Sequence, residues 1–122
     1  MLFGNPDRRA KELHNMISDE RKRKHTTTAV GNTMEEVSII GTNEEYLRVE
    51  IRKALQPYEI IAKSHPGYHA EENIIMEAEA RALTLYEMGA SRPICLDCEN
   101  LLATKNIETK TEFSGKPSKN RK

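Results

Sequence analysis

Hydrophobic and polar residues in the first part of the chain follow a helical spacing and then a strand spacing. A narrow apolar stripe follows the helix-start sequence Asn5-Pro6-Asp7 and predicts a helix over residues 6–22. Two β-branched segments, 26–30 and 37–40, flank Gly31-Asn32, which is a typical turn sequence. The pattern therefore predicts a helix followed by a β-hairpin.

The second part of the chain alternates between helix and strand patterns. A capping-box sequence at 42–45 precedes apolar residues at helical spacing and predicts a second helix, which ends at Pro57. The remaining predicted elements are a short strand or buried connector at 58–62, a helix from 69, a strand at 83–88, a helix at 93–104 and a strand at 107–113.

This order of elements predicts an α/β fold with one small mixed β-sheet of four to five strands and helices on both faces. We expect a single domain over residues 1–113. Residues 114–122 contain three lysines and one arginine. They lack apolar side chains whose burial could offset the entropy cost of ordering, which predicts a basic, flexible tail.

Composition limits the classes of function. A length of 122 residues is typical of one domain. No apolar run approaches the about 20 residues that cross a bilayer, and the N-terminus lacks the apolar stretch of a signal peptide, so we expect no membrane association. The two cysteines, Cys95 and Cys98, are too close in sequence to staple a fold, and they indicate a metal or thiol site.

Charge is balanced overall but segregated along the chain. Net charges are +3 over residues 1–26, −6 over 27–105 and +3 over 106–122. Such blocks are equally typical of a solvated surface and of a surface that attracts an anionic polymer. In the second case, the basic runs 21–24 and 116–122 would contact nucleic-acid phosphates.

Candidate chemistry is concentrated in His69-Ala70-Glu71 and Cys95-Leu96-Asp97-Cys98, each at a predicted helix start. Helices that follow adjacent parallel strands begin at the same sheet edge, so the two groups can converge. Two thiolates and one imidazole leave the fourth position of a tetrahedral zinc ion open, which is typical of catalytic zinc. Glu71 is then placed to exchange protons with water at that position.

Three alternatives remain open for these residues. The Cys-x-x-Cys pair is also typical of thiol redox sites. His65 and His69 have H-x3-H spacing and would complete a closed structural zinc site with the same cysteines. An acid in the first helical turn, such as Glu71, commonly only complements the helix dipole.

These residues resemble the signature H-x-E…P-C-x-x-C of zinc-dependent deaminases of the cytidine-deaminase-like superfamily. The matching positions are His69, Glu71, Pro93, Cys95 and Cys98, with one residue between the proline and the first cysteine. Within that superfamily, segments 67–72 and 91–98 are most similar to deaminase domains at the C-terminal ends of bacterial polymorphic toxins.

The resemblance implies a cytidine-deaminase-like α/β/α sandwich in which His69, Cys95 and Cys98 bind Zn²⁺. It also implies that Glu71 shuttles protons while zinc-activated water displaces ammonia from a nucleobase. For the whole molecule, it implies a secreted or delivered effector that acts in the cytoplasm of a target cell and is neutralised by a cognate immunity protein.

Cytosine in single-stranded DNA is the substrate we expect, in preference to RNA, because basic termini favour a polymer and the target base must be unstacked. The candidate substrate-binding residues are Asn43, His65, Tyr68, Ala70, Ser91 and Arg92. For His65, Tyr68 and Arg92, loop packing is the alternative role.

The sequence thus predicts a zinc-dependent nucleobase deaminase that acts as an interbacterial toxin domain. The alternative is a nucleic-acid-binding module in which a structural zinc holds a basic surface without catalysis.

Overall fold

The computed structural model describes residues 4–117, which form five helices and five strands. The helices are α1 (Pro6–His14), α2 (Glu20–His25), α3 (Val49–Lys53), α4 (Ala70–Ala80) and α5 (Leu96–Thr104). The strands are β1 (Thr28–Thr33), β2 (Ser38–Thr42), β3 (Glu59–Ile61), β4 (Leu85–Ala90) and β5 (Glu108–Thr109).

The strands form one mixed sheet in the order β3-β2-β1-β4-β5. Strand β1 is antiparallel to both of its neighbours, whereas the β2–β3 and β4–β5 pairs are parallel. Strands β2, β3, β4 and β5 therefore all run in the same direction. The predicted α/β class, with a small mixed sheet, is confirmed.

Helices cover both faces of the sheet. Ile39 and Ile40 are neighbours on β2, and because side chains alternate along a strand they enter different hydrophobic clusters. One cluster contains Ile40 and buried residues of α1 and α3, and the other contains Ile39 and buried residues of α4 and α5. The result is an α/β/α arrangement, as predicted.

The helix predicted over 6–22 is wrong in its length, because the structure contains two helices, α1 and α2, in this region. At the end of α1, the backbone N–H groups of Met16 and Ile17 donate to carbonyls only three residues back, which tightens and ends the helix. Asp19 then caps α2 by accepting a hydrogen bond from Lys22 N at 3.2 Å.

The hairpin is confirmed, but its predicted turn is wrong. Gly31 and Asn32 lie inside β1 and pair with β2, and the chain turns at 34–37 instead. Asn32 is buried, and its amide bonds the side chains of Ser38 and Glu87. These side-chain hydrogen bonds thus hold a sequence that is typical of turns inside the central strand β1.

Several other predicted boundaries also change. The helix expected to start near 43 is the short α3, because Thr42 is the last paired residue of β2. The strand expected at 83–88 runs on through Gly89 as β4, and the helix expected from 93 begins at Leu96. The strand at 58–62 is present as β3. The last strand is reduced to β5 and a separate bridge between Ile94 and Phe113.

The first residues of the predicted tail pack against the domain. Ser114 N donates to Ile94 O at 2.9 Å, and Leu96 N donates to Lys116 O at 3.0 Å. These two bonds join the start of the predicted flexible tail to the domain, while residues 118–122 lie outside the described part of the chain. No helix within 4–117 has the length and apolar character needed to span a membrane.

Candidate metal centre

Two helix N-termini meet at one end of the sheet. His69 is the N-cap residue of α4, and Cys95 is the N-cap residue of α5. These helices follow β3 and β4, which are parallel in direction but separated by β2 and β1. The sequence analysis expected adjacent strands, and β3 and β4 are not adjacent. Because they run in the same direction, both helices nevertheless begin at the same edge of the sheet.

The first turn of α4 is held directly against β2. A Cβ added to Gly41 would lie 2.6 Å from the carbonyl oxygen of Ala70, which is closer than real Cβ atoms approach. The buried Asn73 side chain donates from Nδ2 to Thr42 O at 3.0 Å. Glycine in the strand and an amide clamp from the helix thus fix the position of His69.

One imidazole and two thiols converge at this point. The Nδ1 atom of His69 lies 3.5 Å from Cys95 Sγ and 3.4 Å from Cys98 Sγ. For a tetrahedral zinc ion with ordinary bond lengths, a nitrogen and a sulfur ligand lie about 3.6 Å apart. The three ligand atoms lie within 4.8 Å of one another, so the group could hold a metal ion.

His65 is not part of this group. Among residues 4–117, the His, Cys, Asp and Glu side chains close enough to share an ion here are His69, Cys95 and Cys98. The closed two-Cys, two-His site is therefore not formed. Both cysteines are free thiols in the structure.

Electrostatics at the thiols favour a cation. Burial raises the pKa of Cys98, and the nearby Glu71 carboxylate and Cys95 raise it further. A bound metal ion would reverse this shift, because ligand thiols bind as thiolates and release their protons. The N-terminus of α5 acts against this rise in pKa, because the helix dipole favours negative charge on Cys98 in its first turn.

Glu71 lies in the first turn of α4 and is buried, with 4% of its surface exposed. Burial raises the pKa of its carboxyl above the ordinary value, and the charge of Glu72 raises it further, whereas Arg92 acts in the opposite direction. Glu72 has a different role, since its Oε1 accepts from His69 N at 2.8 Å and caps the helix. Glu71 is thus a buried carboxyl beside the candidate ligands.

A cavity of about 370 Å³ opens beside the group. Its lining comprises Thr27, Asn43, Gly67, Tyr68, His69, Ala70, Glu71, Arg92, Pro93, Cys95, Ser114 and Pro117. Its volume falls within the range typical of small-molecule sites. Of the predicted substrate-binding residues, the structure places Asn43, Tyr68, Ala70 and Arg92 in this lining.

Ser91 and His65, which are also predicted substrate-binding residues, are not among the residues that line the cavity. Ser91 has a structural role, since its Oγ accepts from Thr28 N at 3.0 Å and joins the end of β4 to β1. The His65 ring packs against that of Tyr68, with ring centroids 5.5 Å apart.

Arg92 and Asn43 arrange the rim of the cavity. Arg92 Nη2 donates to the carbonyl oxygens of Lys24 at 2.8 Å and Thr26 at 3.0 Å, which ties the end of α2 to the rim. Asn43 Oδ1 accepts from Thr27 N at 2.9 Å. That bond fixes the amide orientation and leaves its N–H donors without a hydrogen-bond partner among residues 4–117.

Sequence reasoning missed Thr27, Gly67, Pro93, Ser114 and Pro117 as lining residues. Gly67 and Pro93 lie next to the motifs and could have been found by their position. Thr27, Ser114 and Pro117 reach the cavity only through tertiary packing, and the sequence carries no signal for them.

Comparison with family models, curated proteins and solved structures finds no match to this chain. The resemblance to zinc-dependent deaminases therefore depends on the residues of the site.

Proposed function

We propose that this protein is a zinc-dependent hydrolase that deaminates a nucleobase, with cytosine in single-stranded DNA as its substrate. The observation that carries the proposal is the convergence of His69, Cys95 and Cys98 beside the buried carboxyl of Glu71, at the wall of one cavity. Three protein ligands and a nearby acid are the composition of a catalytic zinc site rather than a closed structural one.

A zinc ion held by these three residues would act as a Lewis acid and lower the pKa of water in the site. In the overall reaction, cytosine and water give uracil and ammonia. A C–O bond forms at C4 of the base, and the bond from C4 to the amino nitrogen breaks. Glu71 takes one proton from the water and delivers it to N3 of the base, and the proton that remains on the new C4 hydroxyl then passes through the same carboxyl to the amino nitrogen, which leaves as ammonia.

The buried position of Glu71 suits this role. Burial raises the pKa of this carboxyl above its ordinary value, so it holds a proton more readily between accepting and returning it. Asn43 presents amide N–H donors to an acceptor atom of the bound nucleotide, while Arg92 ties the cavity rim to the backbone between α2 and β1. These residues orient the base before the proton transfers begin.

A polymeric substrate is supported by the basic segments near the cavity. The basic helix α2 is tied to the rim by Arg92, and Lys116 lies beside the lining residue Pro117. Cations in these positions can bind phosphates on either side of a target nucleotide.

The test is the substitution Glu71→Gln, which keeps the shape of the side chain but removes its proton-accepting carboxylate. We expect the variant to retain its zinc and to lose ammonia release from cytosine-containing single-stranded DNA by about 10²–10⁴-fold. Cys98→Ser is the control and should lose both metal and activity, measured by elemental analysis and ammonia assay. Full activity in Glu71→Gln would refute the catalytic role.

The competing structural-zinc module makes the opposite prediction. If His65→Ala strips the metal while Glu71→Gln changes nothing, the zinc is structural and the hydrolase proposal fails. The exclusion of His65 from the candidate ligand group weighs against this outcome.

We extend the proposal to the biological role implied by the resemblance, a delivered toxin that is neutralised by an immunity protein. In bacteria that lack uracil-DNA repair, expression of the wild-type chain should raise C-to-T transitions, and expression of Glu71→Gln should not. An unchanged mutation frequency with active wild-type enzyme would separate the toxin role from the chemistry.

A further inference from the structure

A tight turn places two aromatic rings beside the cavity. Tyr68 N donates to His65 O at 3.1 Å, which closes a β-turn over residues 65–68. Pro66 occupies the second position and Gly67 the third, where φ is +78°, as in a type II turn. The turn brings the rings of His65 and Tyr68 to a centroid distance of 5.5 Å with an interplanar angle of 47°.

The Tyr68 ring is available to a ligand. It lines the cavity next to His69, and 42% of the Tyr68 surface is exposed. The exposed part of the ring is apolar surface in contact with water, which a stacked base would cover. His65 packs against the ring from outside the cavity lining.

The turn is also fixed relative to the candidate ligands. His65 N donates to Asn73 Oδ1 at 3.2 Å, and the same side chain clamps α4 to Thr42. Asn73 lies one helical turn after His69, so a single buried amide positions both the metal-ligand helix and the paired rings. A base stacked on Tyr68 would therefore lie at a constant distance from the reacting base.

From these observations, and resting on the proposed function, we infer that Tyr68, supported by His65, is a stacking platform for the nucleotide next to the target base. Aromatic platforms of this kind hold single strands without reading their sequence. The ligand is therefore a single-stranded polynucleotide of at least two residues, and an isolated base or nucleoside uses only part of the site.

The test measures binding without turnover. Full-length protein carrying Glu71→Gln is titrated into fluorescently labelled single-stranded DNA, and in parallel into RNA of the same sequence. In whichever polymer binds, Tyr68→Ala should weaken affinity by about 5- to 150-fold, which corresponds to the stacking contribution of one base. Tyr68→Phe keeps the ring and should bind like the parent.

Two controls separate stacking from a general effect of the substitution. Tyr46 is 74% exposed and does not line the cavity, so Tyr46→Ala should leave affinity unchanged. In the second control, the base next to the target cytosine is replaced by an abasic site. The parent protein should bind this abasic strand as weakly as Tyr68→Ala binds the intact strand. Tyr68→Ala should bind the abasic and intact strands equally.

The outcomes distinguish this inference from the proposed function. If Tyr68→Ala binds as well as the parent, or if the abasic strand binds as well as the intact strand, the platform is refuted even where deamination is observed. If Tyr68→Ala and the abasic strand weaken binding as expected but the wild-type protein releases no ammonia, the deaminase proposal fails and the platform remains.

Discussion

His14 joins three segments through one buried imidazole. Its Nε2 donates to Arg23 O at 2.6 Å, and when the ring is neutral its Nδ1 accepts from the Thr28 hydroxyl at 2.9 Å. Burial lowers the pKa of His14 below its ordinary value, the charges of Arg92 and Arg23 lower it further, and the bond to the Arg23 carbonyl and the charge of Glu44 oppose the shift. The neutral side chain therefore belongs to the folded state.

This arrangement predicts a loss of stability in acid. The unfolded chain protonates this histidine as pH falls below about 6.5, whereas the folded chain resists protonation to lower pH. Between those two pKa values the unfolded state binds more protons, so the free energy of unfolding decreases with falling pH. Urea titrations of wild type and His14→Gln at about pH 7 and about pH 5 measure the effect.

We expect the wild type to lose more stability between the two pH values than His14→Gln does, because the variant has no group that titrates at this position. The comparison of each protein with itself removes any constant cost of the substitution. Equal losses in both proteins would contradict the role assigned to the imidazole.

Close approach between α4 and the sheet controls the geometry of the site. At Gly41 the backbone carbonyl of Ala70 leaves no room for a side chain. Ala70 lies between His69 and Glu71 in sequence, so any displacement there moves both residues. The packing of one glycine is thus coupled to the ligand geometry.

Gly41→Ala should therefore destabilise the fold by about 1–3 kcal/mol, as overpacking commonly does, and should also weaken metal binding. Thermal unfolding and a competition titration with a zinc chelator measure the two effects. Gly4→Ala is the matched control, because a Cβ there would meet nothing within 4 Å. If Gly41→Ala retains wild-type metal affinity, the two effects are not coupled.

The order of elements and the candidate ligands could be predicted from the sequence, because the relevant signals are local. Helix α4 carries its capping residues and its apolar face in one segment, and the spacing of Cys95 and Cys98 places both sulfurs in the first turn of α5. The hairpin turn could not be predicted. Its typical turn sequence was displaced by contacts of Asn32 with Glu87, which is distant in the chain.

The first helix was mispredicted for a related reason. The apolar stripe of α1 continues to Ile17, which is fully buried, but the chain between His14 and Asp19 is not helical. Hydrophobic spacing reports burial, and here burial persists after the helical hydrogen bonds have ended. The cavity wall shows the same limit, since Thr27 and Ser114 are 87 positions apart in the sequence and meet only in the folded chain.

In the folded molecule, basic residues from both ends of the sequence lie near the same cavity. The net charge is zero, yet the basic run 21–24 is held at the cavity rim through Arg92, and Lys116 lies close to the same rim. An anionic strand that reaches the cavity therefore passes positive charge although the whole molecule is neutral.

Removal of two cations on α2 should accordingly lower the salt dependence of binding to single-stranded DNA. Each lost phosphate contact lowers the slope of log affinity against log salt by about 0.7, so Lys22→Gln with Lys24→Gln should lower it by at most about 1.4. Fluorescence anisotropy over a salt series measures the slope. Arg52→Gln with Lys53→Gln on α3 is the control and should leave the slope unchanged.

The two ends of the described chain lie at opposite ends of the sheet. Gly4 O accepts from Asn32 Nδ2 at 3.3 Å, near the turn of the hairpin, whereas Pro117 stands in the cavity wall. A peptide fused directly after Pro117 would thus begin in the wall of the cavity. A peptide fused directly before Gly4 would begin near the hairpin turn instead, so the choice of fusion end decides whether the added chain starts beside the candidate site.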